Sequence, residues 1–372
     1  MKKILYCMIV FVLLFVSGCG GGKTSEKSGI TLIYDNRGGF VYSYVDQVYE
    51  YLLSGLDANV HDYMPYSGRD QYKPIVITVN VDGYIPSKYN FSYGLKDDYS
   101  DAKTMSIEST GKTADFTMHN LFKSSIYYIK VEVIDSKGNT HVEKSTLKTT
   151  SLGPRIVHVP SLDNVRDIGG YQTASGKVVQ QGLLYRGVEM NGIYGYNITE
   201  EGRTVMHDEL GIRFDMDLRD PNGSQYILNS PIGNDVGFKN YSMLSYASIF
   251  DDKYDYVYAR IIKDLAVPEH YPVYFHCMAG ADRTGTLAFL IENLLGMDEL
   301  DIKHDFEITS FSRMGERNCR GNEYKSLVEA LNEKYDGATT QEKVEQYMLD
   351  IGVTAEEIET IKGIMFGEIS IV

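Results

Sequence analysis

The spacing of apolar residues changes at Leu152-Gly153-Pro154, and this change divides the chain into two halves. Between about residues 72 and 150, apolar and polar positions alternate between turn residues, as they do in half-buried β-strands. Beyond residue 154, short apolar strands are interleaved with segments of helical spacing, which is the pattern of a layered α/β fold. A chain of 372 residues is also too long for one ordinary core. We therefore predict two domains, covering residues 30–152 and 153–372.

The first of these domains is predicted to be a β-sandwich preceded by a packing helix. Helical spacing covers residues 39–54, and strands are predicted at 75–81, 89–93, 113–121, 127–133 and 141–147. The segment from Leu121 to Tyr127, followed by apolar residues on one face, resembles the tyrosine corner of fibronectin type III domains. That resemblance implies a fibronectin type III-like module that spaces or docks its neighbour, and we find no catalytic pattern in it.

The first 19 residues have the pattern of a bacterial export signal. Lys2 and Lys3 precede an unbroken apolar run that is too short to span a bilayer comfortably. The run ends in Val16-Ser17-Gly18-Cys19, which resembles the lipobox of bacterial lipoproteins. The resemblance implies cleavage before Cys19 and its acylation, with residues 20–29 as a flexible tether and the protein exported and anchored to the cell membrane facing outside the cytoplasm. The alternative is a plain secretory signal with a chance cysteine.

The net charge and the cysteine content narrow the range of possible functions. The net charge is −15 and no basic run is present, so the chain has no electrostatic footprint for nucleic acid. Cys7 would leave with the signal and Cys19 would be lipidated, which leaves only Cys277 and Cys319 in the mature chain. Because two thiols are too few for a disulfide framework, one of them is expected to serve chemistry.

The chemical candidate is Cys277, in a segment that joins a predicted strand, 273–275, to a predicted helix, 284–295. Backbone N–H groups of a tight loop at a helix N-terminus converge on an anion, and Gly280 lets the loop bend. Arg283 can bind two phosphate oxygens at once. The same positive field lowers the pKa of a cysteine, so Cys277 is predicted to attack phosphorus as a thiolate. The predicted substrate-binding residues are Met278, Ala279, Gly280, Ala281, Asp282, Arg283 and Thr284.

This segment, His-Cys-x5-Arg-Thr-Gly, resembles the signature of the protein tyrosine phosphatase superfamily. The resemblance implies that Cys277 is the nucleophile, that His276 orders the loop, and that the hydroxyl of Thr284 helps the thiolate leave. It also implies an α/β domain whose central mixed sheet is flanked by helices. No metal or other cofactor is expected.

A second resemblance is to bacterial tyrosine and dual-specificity phosphatases. Asn164-Val165-Arg166-Asp167-Ile168-Gly169-Gly170 and the later Leu184-Tyr185-Arg186-Gly187 are similar to motifs of that group. Arg166, Asp167 and Arg186 line the pocket mouth or clamp the start of the domain, and we favour the clamp. The group often carries lysine, associated with phosphoinositide activity, where this chain has Ala281.

The general acid has several candidates. Asp282 matches the loop aspartate of the group and is the first choice, with catalytic and structural roles both open. Asp252 is the second choice, because the superfamily commonly uses an aspartate some tens of residues before the cysteine. Asp251, Asp255 and Asp220 lie in similar positions.

The sequence therefore predicts a cysteine-dependent phosphomonoesterase, acting on a phosphorylated protein or small molecule. An inositol phosphate or phosphoinositide phosphatase is the alternative on the same fold. Two alternatives come from other classes: a rhodanese-like sulfurtransferase, which also uses a loop cysteine, and a surface binding protein without catalysis. The enzyme assignment further requires that Cys277 is not buried away from solvent and that the side chain of Arg283 is not turned off the loop.

Overall fold

The computed structural model describes residues 28–109, 111–192, 195–220 and 227–371. The predicted signal sequence, residues 1–19, and all but the last two residues of the predicted tether lie outside the described residues. Within those four ranges, no helix combines the length and apolar character needed to cross a lipid bilayer.

The described part of residues 28–152, here called the N-terminal segment, contains one short α-helix, one 3-10 helical turn (Val60–Asp62) and seven strands. The helix is α1 (Asp46–Leu52), and the strands are β1 (Ile30–Ile33), β2 (Ile75–Val81), β3 (Pro86–Gly94), β4 (Lys103–Glu108), β5 (Thr113–Met118), β6 (Ile126–Asp135) and β7 (Thr140–Lys148). They pair into two antiparallel sheets, in the orders β1-β2-β5 and β4-β3-β6-β7. Apolar side chains of both sheets share one buried core.

The strands predicted from alternating apolar residues are confirmed, whereas β1 and β4 were not predicted. In β4 only Met105 is partly buried, and Met105 and Ile107 form too short an alternation to predict a strand. The helix expected over residues 39–54 shortens to α1. The backbone N–H of Phe122 donates a hydrogen bond to the hydroxyl of Tyr127 at 2.9 Å, as in a tyrosine corner. The fibronectin type III-like assignment itself stays a prediction.

The second half of the chain builds one mixed six-stranded sheet in the order β12-β11-β13-β10-β9-β8. Its strands are β8 (Arg155–Ile156), β9 (Arg166–Asp167), β10 (Leu184–Gly187), β11 (Phe214–Asp217), β12 (Gly237–Asn240) and β13 (Val273–His276). Its helices are α2 (Glu200–Thr204), α3 (Asp255–Leu265), α4 (Asp282–Leu294), α5 (Glu299–Ile308), α6 (Asn322–Lys334), α7 (Thr340–Asp350) and α8 (Ala355–Met365). Strands β10 to β13 run parallel, so their carboxyl ends meet at one edge.

Each face of this sheet is covered by apolar side chains, as predicted for an α/β layer. Along β13, Val273 and Phe275 pack on the same side as helices α3, α4, α7 and α8. Tyr274 joins a second cluster on the opposite side with Met206 of the helical turn that follows α2. Two helix starts follow the expected capping chemistry: the hydroxyls of Thr339 and Thr354 accept the N–H groups of Glu342 and Glu357.

The N-terminal segment packs tightly against the α/β half. Helix α1 contributes Val48, Tyr51 and Leu52 to a buried cluster that also contains Ile308 and Phe311 from the end of α5 and the turn that follows it. The predicted packing role of this helix is therefore confirmed. The two halves of the chain consequently share buried contacts close to the carboxyl edge of the sheet.

Candidate functional site

The Cys277 loop, residues 277–281, connects the end of β13 to the start of α4 at the carboxyl edge of the sheet. Gly280 has a φ of +62° there, a conformation that favours glycine. A Cβ atom at this position would lie 2.4 Å from the carbonyl oxygen of Gly187 on β10. The predicted reason for Gly280 is thus confirmed, because no larger residue fits between the loop and the sheet.

Three carbonyl groups of the Cys277 loop bond outward. Those of Met278, Ala279 and Gly280 accept hydrogen bonds from Glu189 N (3.2 Å), Asn164 Nδ2 (3.1 Å) and Arg186 Nη2 (3.0 Å), respectively. In a planar trans peptide, the next N–H points the opposite way. The N–H groups of residues 279–281 therefore face the inside of the loop, and none of the backbone donors from 278 to 283 bonds another described residue. Such a ring of free donors is suited to an oxyanion.

Cys277 lies at the bottom of this loop and is only 2% exposed. Burial by itself would raise the pKa of its thiol, but the positive charge of Arg283 and the hydroxyl and N–H of Thr284 outweigh burial and lower it. The hydroxyl of Thr284 is buried and has no other hydrogen-bond partner among the described residues. The sulfur is therefore nearly closed to solvent, which does not meet the expectation of an accessible thiol, because the side chain packs with the apolar cluster that covers β13.

His276 is buried below the loop as a charged group. Burial opposes its protonation, but Asp217 and Asp215 on β11 raise its pKa to about 9. Its Nε2 lies 3.0 Å from Asp215 Oδ1, and its Nδ1 donates to the carbonyl of Cys277 at 3.2 Å. The ring is thus in contact with the first carbonyl of the loop, and the ordering role expected for His276 stays a prediction.

Arg283 stands in the first turn of α4, beside the loop. Its single hydrogen bond is long, from Nη1 to the carbonyl of Leu218 at 3.4 Å. No carboxylate among the described residues lies within ion-pair distance of it. Most of its donors are therefore available for a ligand, which suits the phosphate-binding role predicted from the sequence.

Asp282 is held by two neighbours that lie far away in the chain. Arg317 binds both of its oxygens, at 2.8 and 3.0 Å, and the hydroxyl of Tyr246 donates to it at 2.6 Å. Burial would raise the pKa of Asp282, but these donors and Arg283 lower it. Tyr246 has a φ of +57°, a costly conformation for a bulky residue, so its placement is imposed by the surrounding fold.

The second candidate acid, Asp252, lies in a different setting. Its side chain is 83% exposed and forms an ion pair with Lys334 at 2.5 Å. None of its contacts within the described part of the chain joins it to the Cys277 loop. Lys334 and its own N–H lower the pKa of Asp252, which keeps it ionised. The acid assignments of Asp282 and Asp252 both stay predictions.

Behind the loop lies a buried ion network that sequence reasoning missed in part. Asp305 on α5 binds Arg166 Nε at 2.6 Å and also pairs with Arg186, and all three are about 1% exposed. These two arginines hold the pKa of Asp305 below its usual value against burial. Burial and the charge of Asp305 raise the pKa of Glu292 well above its ordinary range, so Glu292 carries the proton.

This network supports the loop from below, because Arg186 donates to the carbonyl of Gly280. The sequence singled out Arg166 and Arg186 and favoured a clamping role, which their buried contacts support. It did not single out Asp305. Helical spacing with Ile302 and Thr309 would have placed Asp305 on the buried face of α5, and that was the available signal. Within the described ranges, no cluster of three or more His, Cys, Asp or Glu side chains is arranged to hold a metal ion.

The sequence model of the tyrosine phosphatase family matches residues 157–367, which is more than half of the chain. This chain belongs to the tyrosine phosphatase family. The match spans the whole mixed sheet except β8, together with the Cys277 loop and every element of its buried support from Asn164 onward. The N-terminal segment lies outside the match.

One similar protein is a tyrosine-protein phosphatase from Nostoc commune, 26% identical over 131 residues. That alignment covers 28% of this family member and 42% of the relative's length, so the chain spans less than half of the relative. A solved structure described as "Myokine structure" is 18% identical and covers 20% of this chain and 82% of that chain, with a TM-score of 0.17. The crystal structure of Bacteroides uniformis β-glucuronidase is 12% identical. The match covers 57% of this chain and 26% of that chain, with a TM-score of 0.15. TM-scores this low establish no shared fold.

Proposed function

We propose that this family member hydrolyses phosphomonoesters through a cysteinyl-phosphate intermediate, as a protein tyrosine or dual-specificity phosphatase. One observation carries the proposal: the thiol lies beneath N–H donors that bond no other described residue, beside an arginine with no carboxylate partner in the described part of the chain, and these surroundings lower its pKa. A structural cysteine needs neither the donors nor the guanidinium. A sulfurtransferase would accept sulfur on the same thiol. An assay of sulfur transfer from thiosulfate to cyanide distinguishes that activity from a phosphatase.

The reaction proceeds in two displacements at phosphorus. The Cys277 thiolate attacks the phosphorus atom, an S–P bond forms, and the bond to the ester oxygen breaks as that oxygen takes a proton from an acid. Water then attacks the same phosphorus, the S–P bond breaks, and the thiolate and inorganic phosphate are released. Arg283 and the N–H groups of residues 279–281 stabilise the equatorial oxygens in both steps. The hydroxyl of Thr284 donates to the departing sulfur in the second.

Asp282 is the first choice for the proton transfers. Because its pKa is lowered, Asp282 is ionised and can accept a proton from the attacking water, but it must take up a proton before it can serve as the acid. Arg317 and Tyr246 also fix the orientation of Asp282, and the same contacts would be expected if this carboxylate had a structural role. Asp282 therefore fits the second displacement better than the first.

The proposed substrate class is a phosphorylated protein or small molecule carrying one reacting phosphate. Ala281 stands where the related group often has a lysine associated with phosphoinositide activity, and its side chain adds no cation to the loop. Phosphotyrosine and phosphothreonine peptides are therefore preferred over inositol phosphates and phosphoinositides. Phosphate release from these four substrate types, measured side by side, ranks them.

Alkylation of the two described thiols tests the proposal directly. Iodoacetate reacts with thiolates, and the pKa of Cys277 lies below the ordinary 9.0 while burial and Glu307 raise the pKa of Cys319. At pH 7 the peptide containing Cys277 should be carboxymethylated and the peptide containing Cys319 should not. The rate at Cys277 should fall as pH drops through its lowered pKa, and inorganic phosphate should protect it.

Both thiols belong to the same molecule, so the comparison controls for folding. Because Cys277 is buried and Cys319 is partly exposed, a faster reaction at Cys277 cannot result from easier access. A Cys277 that reacts only when the pH approaches 9 would exclude a thiolate of lowered pKa, and a lack of protection by phosphate would exclude the anion site. Quantitative mass spectrometry of the two peptides provides the measurement.

We also propose that the protein is exported and held at the membrane by lipid on Cys19, with the N-terminal segment as a fibronectin type III-like spacer. The apolar run ending in Val16-Ser17-Gly18-Cys19 supports this. In a bacterial host fed labelled palmitate, Cys19→Ser should lose the label and leave the membrane fraction. Cys7→Ser should keep both the label and its place in the membrane fraction. Label retained by Cys19→Ser would refute the proposed lipid anchor.

A further inference from the structure

Gln71 of the N-terminal segment reaches the support of the Cys277 loop. It lies outside the region that matches the family, yet its side chain is only 3% exposed. Its Nε2 donates to Asn164 Oδ1 at 3.0 Å and to the carbonyl of Ile308 at 2.7 Å. Asn164 in turn donates through Nδ2 to the carbonyls of Ala279 and Gly280, at 3.1 and 3.3 Å.

In this series of hydrogen bonds, the chemical nature of each group determines which one donates and which one accepts. Carbonyl oxygens only accept, so the nitrogen of Gln71 must face Ile308 and the nitrogen of Asn164 must face the loop. Arg166 only donates, and its Nη1 binds Asn164 Oδ1 at 2.6 Å. The amide of Asn164 therefore uses both of its N–H groups on the loop and both lone pairs of its oxygen on Gln71 and Arg166.

We infer that Gln71 is a positioning residue for catalysis, through which the N-terminal segment fixes the orientation of the Cys277 loop. The inference rests on the proposed function. Gln71 holds the oxygen of Asn164, and Asn164 holds two loop carbonyls outward. Because carbonyl and N–H directions are opposed within each peptide, this fixes the N–H groups of Gly280 and Ala281 toward the phosphate.

The two halves of the chain are accordingly one catalytic unit, although the family match covers only the second half. Gln71 touches neither the substrate nor Cys277, so its effect is transmitted by the position of the loop. A displacement of about 1 Å in groups that position a transition state can cost roughly 100-fold in rate. The expected signature is a loss in kcat that exceeds any change in KM, since loop donors act most strongly on the transition state.

The decisive variant is Gln71→Glu, which keeps the shape of the side chain but replaces the donor nitrogen with a carboxylate oxygen. That oxygen would oppose both the carbonyl of Ile308 and Asn164 Oδ1. Turnover of an aryl phosphate should fall about 10- to 100-fold in kcat, with a smaller change in KM. Binding of inorganic phosphate, measured by titration calorimetry on the folded protein, should weaken by a smaller factor than kcat, in line with the change in KM.

Asn120→Gly is the matched control, because Asn120 also bridges the two halves with a side-chain amide. It exchanges hydrogen bonds with the backbone of His158 at 3.1 and 2.7 Å and does not touch Asn164, and its φ of +57° suits glycine. This control should keep the wild-type kcat and phosphate affinity even if its midpoint of thermal unfolding falls as much as that of Gln71→Glu.

A double-mutant cycle with Asn164→Ala completes the test. If Gln71 acts through Asn164, its substitution should cost nothing further in kcat once Asn164 is alanine. If the kcat losses of the Gln71 and Asn164 substitutions multiply in the double variant, the inference is overturned. A Gln71→Glu protein with the same kcat as Asn120→Gly would also overturn it. Should Gln71→Glu not fold, Gln71→Ala enters the same cycle. A wild-type protein that binds phosphate but turns over no ester would refute the proposed function instead, while the phosphate affinities still test Gln71.

Discussion

Replacing Cys277 with serine is expected to abolish turnover of an aryl phosphate, with a loss of at least about 10⁴-fold in kcat. The Cys277 loop lowers the pKa of a thiol through Arg283 and Thr284, but a serine hydroxyl starts from a pKa far too high to ionise there. Inorganic phosphate should still bind to the Cys277→Ser protein, since the N–H donors and Arg283 are unchanged. Steady-state kinetics and titration calorimetry measure the two effects separately.

Cys319→Ser is the matched control for this experiment. Its thiol has a raised pKa and lines a different part of the fold, so the variant should keep wild-type kinetics. Activity of the wild-type protein should also persist in EDTA. A Cys277→Ser protein that turns over substrate like the wild type would remove cysteinyl-phosphate chemistry from this chain.

Replacing Asp305 with alanine is expected to lower the free energy of unfolding by about 3–5 kcal/mol. Asp305 is the carboxylate partner of both Arg166 and Arg186, and all three side chains are buried. Its removal leaves two guanidinium groups without their counterion in a region closed to water. Protonated Glu292 would have to ionise to replace it, against the burial that raises its pKa. Urea unfolding followed by circular dichroism gives the free energy.

Asp252→Ala is the comparison variant, because it also removes a carboxylate from an ion pair, but at the surface. Its partner Lys334 stays in water, so unfolding should shift little or not at all. The same variant measures whether Asp252 contributes to turnover. Equal urea midpoints for Asp305→Ala and the wild type would contradict the importance assigned to the buried network.

The contrast between Asp305 and Asp252 illustrates what apolar spacing can and cannot predict. Both are single carboxylates in the sequence, and only packing distinguishes them: Asp305 faces two arginines inside the fold, while Asp252 faces one lysine in solvent. Asp282 shows the same dependence. Its match to a family loop was evident from the sequence, but the hold of Arg317 and Tyr246 on its two oxygens required the folded chain.

The β-strands show a related limit. Strand β2 lies where alternating apolar residues predicted it, because one of its faces is buried in the shared core. Strand β4 pairs with β3 through backbone hydrogen bonds while every side chain except that of Met105 stays exposed. An edge strand of this kind buries too few apolar side chains to be predicted from its sequence.

The sequence by itself determined the chemistry of the Cys277 loop, since His276, Cys277, Gly280, Arg283 and Thr284 lie within nine consecutive residues joining a strand to a helix. Over so short a span, backbone geometry alone brings the thiol, the N–H donors and the cation together. Only the tertiary structure decided what holds the loop in place. That support comes from Gln71, Asn164, Arg186 and Asp305, residues separated by most of the chain, and a hydrogen bond between distant side chains exists only after the elements that carry them have packed.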